Sequence, residues 1–440
     1  MIQHSKIDYF RFLTIALISL YTVVLIWNYI VWLAPVWGYM GVDYSPVGTY
    51  YFLACLIASV LPSIWIPISI SRPTMVTYWI LYLLTYIPMI VGVSLSPKFT
   101  FIQVILFQLS CLFSFTLTGA GYYFKLIKIK EKYIPKFNFW VAFYSAMFLM
   151  FLYVIYIFKG NFKLVSPFDE NLYDLRFSGR DVAEGDKLVG YFTQWLSGAF
   201  LPFLLAIGIV YKKKLLILIS CIGQIILYST AANKAFILSI IYMVGIYYIT
   251  KKTSKFGIFL TFFLIILITF LTFSQIYFED DFKLIFFPIT SIVMLRTVSI
   301  STINAVNYYD FFSNNPFTYY SHINIIGKFI RYPYGDLALG QVIGVTMSGN
   351  ADSNWNANFY ITDGFVAMGY SGLIIIGIIS GLIFYIIDSL IKSQNIILCT
   401  LLITISSVSL MNVSIFTTLL TGGLIYLILF LVLFENKSLS

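Results

Sequence analysis

Few residues in this chain could move a proton or hold an anion, and they sit in two segments. His322 is the only histidine outside the N-terminal tail of a chain that has two. Beside Lys328 and Arg331 it can serve as a general base near neutral pH, or be a structural ring in a polar loop. Asp363 sits at the mouth of a long apolar run. Arg176 and Arg180 are four apart, so a local helix sets both on one face. Such a pair either grips phosphate oxygens or is neutralised by Asp169, Asp174, Asp181 or Glu184. Arg296, Lys328 and Arg331 add cations, and Tyr308, Tyr309, Tyr319, Tyr320, Tyr332, Tyr334 and Trp355 add rings. Aromatic faces with Asn and Asp edges suit a sugar; a belt of tyrosines at the membrane interface would use the same residues. Asn354, Asn356 and Asn358 alternate, so an extended strand points them to one side. No second histidine or carboxylate stands at metal-ligand spacing, and neither a metal nor a cofactor is expected. No glycine loop for phosphate, nucleophile elbow or kinase motif appears.

The surrounding elements must hold these residues in a membrane. The chain of 440 residues is 60% hydrophobic and 10% charged, against roughly 25% charged in a soluble domain, and this excludes both a soluble globule and a disordered chain. Cys55, Cys111, Cys221 and Cys399 lie inside apolar runs without CxxC spacing, as packing residues do. Apolar runs predict an all-α polytopic membrane protein of about twelve spans, at 11–34, 49–70, 75–95, 100–124, 139–158, 189–211, 215–231, 234–250, 256–274, 364–388, 395–411 and 413–434. The first is too long for a signal-peptide core and is expected to remain as an anchor.

The net charge of +9 raises the question of nucleic acid. Placing the basic stretches 125–136, 212–214 and 251–255 inside makes every other loop alternate, with both termini cytoplasmic. Of the Lys and Arg residues, 16 then lie inside with 4 acids, and 11 lie outside with 14 acids. The basic excess is therefore topological, and no nucleic-acid partner is expected.

Two external loops are long, 159–188 and 275–363, and a long loop in a compact protein usually carries function. The second contains an apolar stretch, 284–306, interrupted by Pro288 and Arg296. Counting it as a span would place Asp310, Asp336, Asp352 and Asp363 in the cytoplasm, so a re-entrant or interfacial helix is expected instead. The spans themselves carry almost no charge, unlike those of an ion-coupled transporter. Along the span after Asp363, the GxxxG from Gly377 to Gly381 reads as helix packing. Gly369 and Gly372 could let a lipid or sugar approach the backbone.

With its two arginine-bearing and aromatic external loops, RFSGRDVAEGDKLVG (176–190) and the junction NANFYITDGFVAMGYSG (356–372), the chain resembles the O-antigen polymerase family. These are the integral membrane polymerases of oligosaccharide repeat units in bacterial surface polysaccharide pathways. Arg180 and Gly190 approximate an arginine-to-glycine spacing described for such loops. The resemblance implies a metal-independent glycosyltransferase at the outer face of the bacterial cytoplasmic membrane. Donor and acceptor are then glycans on undecaprenyl diphosphate, and the product is O-antigen or capsule, with a chain-length regulator as a possible protein partner. It implies diphosphate or substrate contacts from Arg176, Arg180, Arg296, Lys328, Arg331, Tyr319, Tyr332 and Asn358, with His322 or Asp363 as catalytic base. The alternatives are an O-antigen ligase, which shares the donor, and a repeat-unit flippase, which would line a cavity within its spans with polar groups.

Overall fold

An apolar segment in lipid must satisfy its own backbone, and a helix does this within one segment. The computed structural model describes residues 2–127, 136–159, 162–166, 172–350, 352–392 and 394–434. Lys128, Lys130, Lys132 and Asp169 lie outside the described residues, as do the side chains of Lys136 and Glu184. The described residues form helices and no strands, and ten helices are long and apolar enough to cross a membrane. The protein is a polytopic helical membrane protein.

In chain order, α1 (Tyr9–Met40) is followed by the shorter α2 (Thr49–Ile64), α3 (Thr74–Leu95), α4 (Phe101–Tyr123) and α5 (Asn138–Ile157). An amphipathic helix, α6 (Leu172–Gly185), leads into α7 (Lys187–Val210), α8 (Lys214–Ala231), α9 (Lys234–Lys252) and α10 (Phe256–Tyr277). Then come α11 (Lys283–Asn314), the short α12 (Leu339–Ser348) and α13 (Tyr360–Leu390). Three shorter pieces close the chain: α14 (Ile396–Leu410), α15 (Ile415–Leu420) and α16 (Leu424–Leu433). Nine of the expected spans are among the ten long helices; the tenth is α11. The runs at 49–70 and 395–411 form shorter helices, and 413–434 is broken into α15 and α16. Side-chain caps explain several starts: the Thr100 hydroxyl with Gln103 for α4, Asp186 for α7, Asn233 for α9 and Asn395 for α14.

Helix α3 is enclosed on all sides. Its tyrosines Tyr78, Tyr82 and Tyr86 pack against Phe115 of α4 and donate their hydroxyls to Phe115, Ser59 and Ala58 carbonyls. Tyr21, Tyr29, Tyr228, Tyr308, Tyr309 and Tyr360 are also fully buried. A buried phenol is tolerated because its one polar atom finds a carbonyl. The four cysteines are free thiols, three of them buried.

Cross-contacts define two ends. At the proximal end Lys255 lies over the Phe10 ring, Ile70 N–H donates to the Ser254 carbonyl, and Arg72 donates to the carbonyls of Gly121, Tyr122 and Phe124. At the distal end Asn307 donates to the Met40 carbonyl and Lys98 pairs with Asp310 at 3.2 Å. Helix α11 begins and ends distally. Gln275, at the distal end of α10, donates to the carbonyl of Lys283 at its start, while Asn307 and Asp310 near its finish meet Met40 and Lys98. Between them, Pro288 and the wide turns of Ser291–Ser299 carry it alongside Tyr82–Tyr86, in the middle of α3. This is the 284–306 stretch, and much of it beyond Met294 is buried in the bundle.

Helix α13 is also discontinuous. An extended arm, 353–358, enters the bundle, and a half-helix climbs back toward a break at Met368 and Gly369. The long arm then runs down against α4, with Gly377 and Gly381 facing the Ser114 and Leu117 backbone. A Cβ on Gly372 would collide with the Gly364 carbonyl oxygen, so the two arms of α13 touch there. The space expected at Gly369 and Gly372 for lipid or sugar is thus taken by the chain's own Phe317 and Gly364.

Candidate functional site

The break in α13 creates the seat of the site. With φ +62° at Gly369 the helix cannot continue, which leaves the carbonyls of Val366 and Ala367 without helical donors. The backbone N–H groups of Thr318 and Tyr319 take them, at 3.0 and 2.9 Å. This pins a tight turn in which Tyr319 and Tyr320 both adopt left-handed φ, +47° and +64°. Two such residues in succession cost of order 1–3 kcal/mol each and persist only where the surroundings hold them. The turn delivers Thr318, Tyr320 and His322 to the half-helix that carries Asp363.

His322 and Asp363, expected as rivals, are neighbours. His322 Nε2 lies 3.5 Å from Asp363 Oδ1, and their side chains are 7% and 0% exposed. The other ring nitrogen, Nδ1, is 2.8 Å from the Thr318 hydroxyl. Asp363 Oδ2 accepts the N–H of Ile415 at 2.7 Å, at the start of α15. Thr318 and Asp363 thus hold the His322 ring inward. The Tyr320 ring stacks near His322, and its hydroxyl is enclosed without a hydrogen-bond partner. Burial, and then the Asp363 carboxylate, push that phenol up to about 12. The unit is a hydroxyl, an imidazole and a carboxylate in line, with a spare phenol beside them. It can accept, hold or relay one proton.

A second cluster gathers cations. Helix α6 is laid on the distal end of α8 through Leu172 and Leu175 against Tyr228 and Ala232, and Gly179 meets the Thr230 and Ala231 backbone. That packing turns Arg176 to solvent. Arg296 is exposed on α11 while Met294, Leu295 and Val298 around it are buried. Both guanidiniums act electrostatically on Lys234, which starts α9. Arg180 serves differently, donating to the Asp352 carbonyl at 3.1 Å and so tying the first loop to the arm that leads to Asp363.

The remaining expected residues fall into three kinds. Lys328 and Arg331 are exposed on the segment after His322, and the structure does not bring them into the cation cluster. Tyr319 is 55% exposed beside the site. Tyr332 is turned inward against Tyr334, whose ring packs on Phe311 and Phe312. Asn358 is fully buried; it donates to Met89 Sδ and its Oδ1 accepts the Ile361 N–H, which makes it the cap of the half-helix. Asn354 and Asn356 both turn toward Gly340, where any Cβ would collide with their amide oxygens.

Sequence reasoning missed Lys234 and Thr318, and named Tyr320 only among the rings of its loop. A lone lysine at a span end and a threonine four residues before the histidine were the only signals for the first two. No family model, curated protein or solved structure matches the chain.

Proposed function

We propose that the protein is a glycosyltransferase that polymerises oligosaccharide repeat units carried on undecaprenyl diphosphate, at the outer face of the bacterial cytoplasmic membrane. The observation that carries this reading is the enclosed His322–Asp363 pair, 3.5 Å apart and flanked by the Thr318 hydroxyl and the Ile415 N–H. In this reading the distal end is external and the termini are cytoplasmic, in keeping with the excess of basic residues at the proximal end. The acceptor sugar hydroxyl attacks the donor's anomeric carbon and forms the new glycosidic C–O bond. The anomeric C–O bond to diphosphate breaks, and undecaprenyl diphosphate departs with the electron pair. Arg176, Arg296 and Lys234 stabilise the negative charge that builds on it, commonly the largest catalytic contribution. The acceptor's proton passes to the His322–Asp363 pair. Because both ring nitrogens are engaged, the acceptor hydroxyl must displace the Thr318 hydroxyl or open the 316–330 turn.

The test is extension of lipid-linked repeat units by the purified protein in detergent, where membrane sidedness is gone. A ladder of longer glycans supports the reading. Products no longer than one unit, from a folded protein with its cognate lipid-linked repeat unit, overturn it. A transfer of finished polymer to a lipid A core in the same assay identifies a ligase instead. Transport is the second reading, favoured by the discontinuous helices α13 and 413–434, since broken helices line many transport sites. It predicts movement of the lipid-linked unit across vesicles without any extension.

A further inference from the structure

The proximal end holds a cavity unrelated to the distal site. Its volume is about 270 Å³, far above the ~15 Å³ that holds one water. Its polar wall comes from the last turn of α9 and the linker after it: Thr250, Lys251, Lys252, Thr253 and Ser254. Its apolar wall comes from Ile70, on the connection before α3, and from Ile396, Ile397 and Thr400 in the first turns of α14. The frame is fixed on both sides. Ile70 N–H donates to the Ser254 carbonyl at 2.8 Å, and Asn395 caps α14 through the N–H groups of Ile397 and Leu398.

No carboxylate lines this space among the described residues. Asp388, on the neighbouring helix, is buried and taken up by the Thr74 N–H and hydroxyl. Lys251 lies by the Tyr247 hydroxyl at 3.3 Å, and neither Lys251 nor Lys252 has a carboxylate partner among the described residues. Lysines in a last turn complement the helix dipole, which accounts for their presence but not for a roomy cavity lined by hydroxyls beside them. Ammonium groups and hydroxyls together can donate to a phosphate. Ile396, 42% exposed beside the cavity, and Tyr248, 66% exposed one turn before the lysines, offer an apolar surface on which acyl chains can lie.

We infer that this cavity binds the phosphate headgroup of an anionic phospholipid, with its chains running along α9 and α14. The ligand chemistry is a phosphate ester, and the apolar flank selects the lipid form over a soluble one.

The test uses the full chain, delipidated in detergent and titrated with phosphatidylglycerol, phosphatidylcholine or soluble glycerol 3-phosphate. Native mass spectrometry reads the bound lipid, and a thermal shift reads stabilisation. Phosphatidylglycerol is expected to bind and to raise the unfolding temperature. The K251Q/K252Q double variant should bind it on the order of thirtyfold more weakly, each lysine contributing about 1 kcal/mol near an anionic surface. The K251R/K252R variant should retain binding, and K212Q/K213Q, at another basic connection, should leave it unchanged. Equal binding by wild type and K251Q/K252Q overturns the inference, as does equal binding of phosphatidylcholine. Glycerol 3-phosphate competing at the lipid's own affinity overturns the lipid assignment and leaves a soluble phosphate ester as the ligand. Because neither lysine is buried, a variant that unfolds without lipid would contradict the description of the cavity itself.

Discussion

His322 and Asp363 are far apart in sequence and lie 3.5 Å apart, their side chains enclosed, with Thr318 on one flank and the Ile415 N–H on the other. A buried charge stripped of its partner is costly, whereas a pair with its outer atoms satisfied can stand in a dry interior.

This pairing separates chemistry from packing. H322Q keeps a polar side chain of similar reach between Thr318 and Asp363 but cannot take up a proton. It should fold and lose polymer formation by roughly a hundredfold or more, the usual worth of a general base. Chain length on a polysaccharide gel, beside a melting curve, measures both. D363N should lose activity to the same extent, and H322Q/D363N should lose no more than either alone. Wild-type polymer from H322Q removes the pair from the mechanism.

The cation cluster makes a different prediction. R176A, R296A and K234A should each lower the extension rate by roughly a hundredfold, as the loss of a single transition-state contact does. Lys328 and Arg331 stand outside the cluster, so K328A and R331A should have much smaller effects. Extension kinetics and thermal unfolding on the same preparations distinguish these outcomes.

The turn that presents His322 depends on the break in α13. Gly369 has φ +62° and its missing side chain faces the Phe317 ring. G369A should destabilise the protein by about 1–3 kcal/mol through backbone strain and should also disturb the Thr318–His322 contact. G349A, at φ +68° with open space around it, should show the strain without the loss of activity. Melting temperatures compared with extension rates reveal the difference.

At the start of α7 the Tyr153 hydroxyl donates to Asp186 Oδ2 at 2.6 Å, while Asp186 Oδ1 caps the N–H groups of Leu188 and Val189. The Tyr153 bond, with the two backbone bonds, holds the Asp186 carboxyl below its ordinary range. For a carboxyl lowered by folding, the stabilisation is present above its unfolded pKa and is lost as pH falls through the folded value. Protection of the Leu188 and Val189 amides, measured against their intrinsic exchange rates at each pH, should therefore hold at neutral pH and fall only under acid. In Y153F the fall should begin at a higher pH. Protection factors that do not change with pH in either protein would rule out the cap as the controlling contact.

What the sequence by itself determined follows from properties that are local or additive. Apolar run length requires helices in lipid, and the charge count separates the two ends. The rarity of histidine and the loop arginines marked His322, Asp363, Arg176 and Arg296. Which apolar helix is wrapped by protein and which faces lipid was not legible. Helix α3 is fully enclosed yet reads like any other span, because protein interior and hydrocarbon select the same side chains. Only the tertiary structure decided that α13 breaks at Gly369. It alone showed that the carbonyls freed there hold the turn bearing His322 against Asp363. Those outcomes depend on backbone groups finding donors across long sequence separations, as the Val366 carbonyl finds Thr318. No composition or periodicity records such a match, because each partner is ordinary in its own stretch of chain.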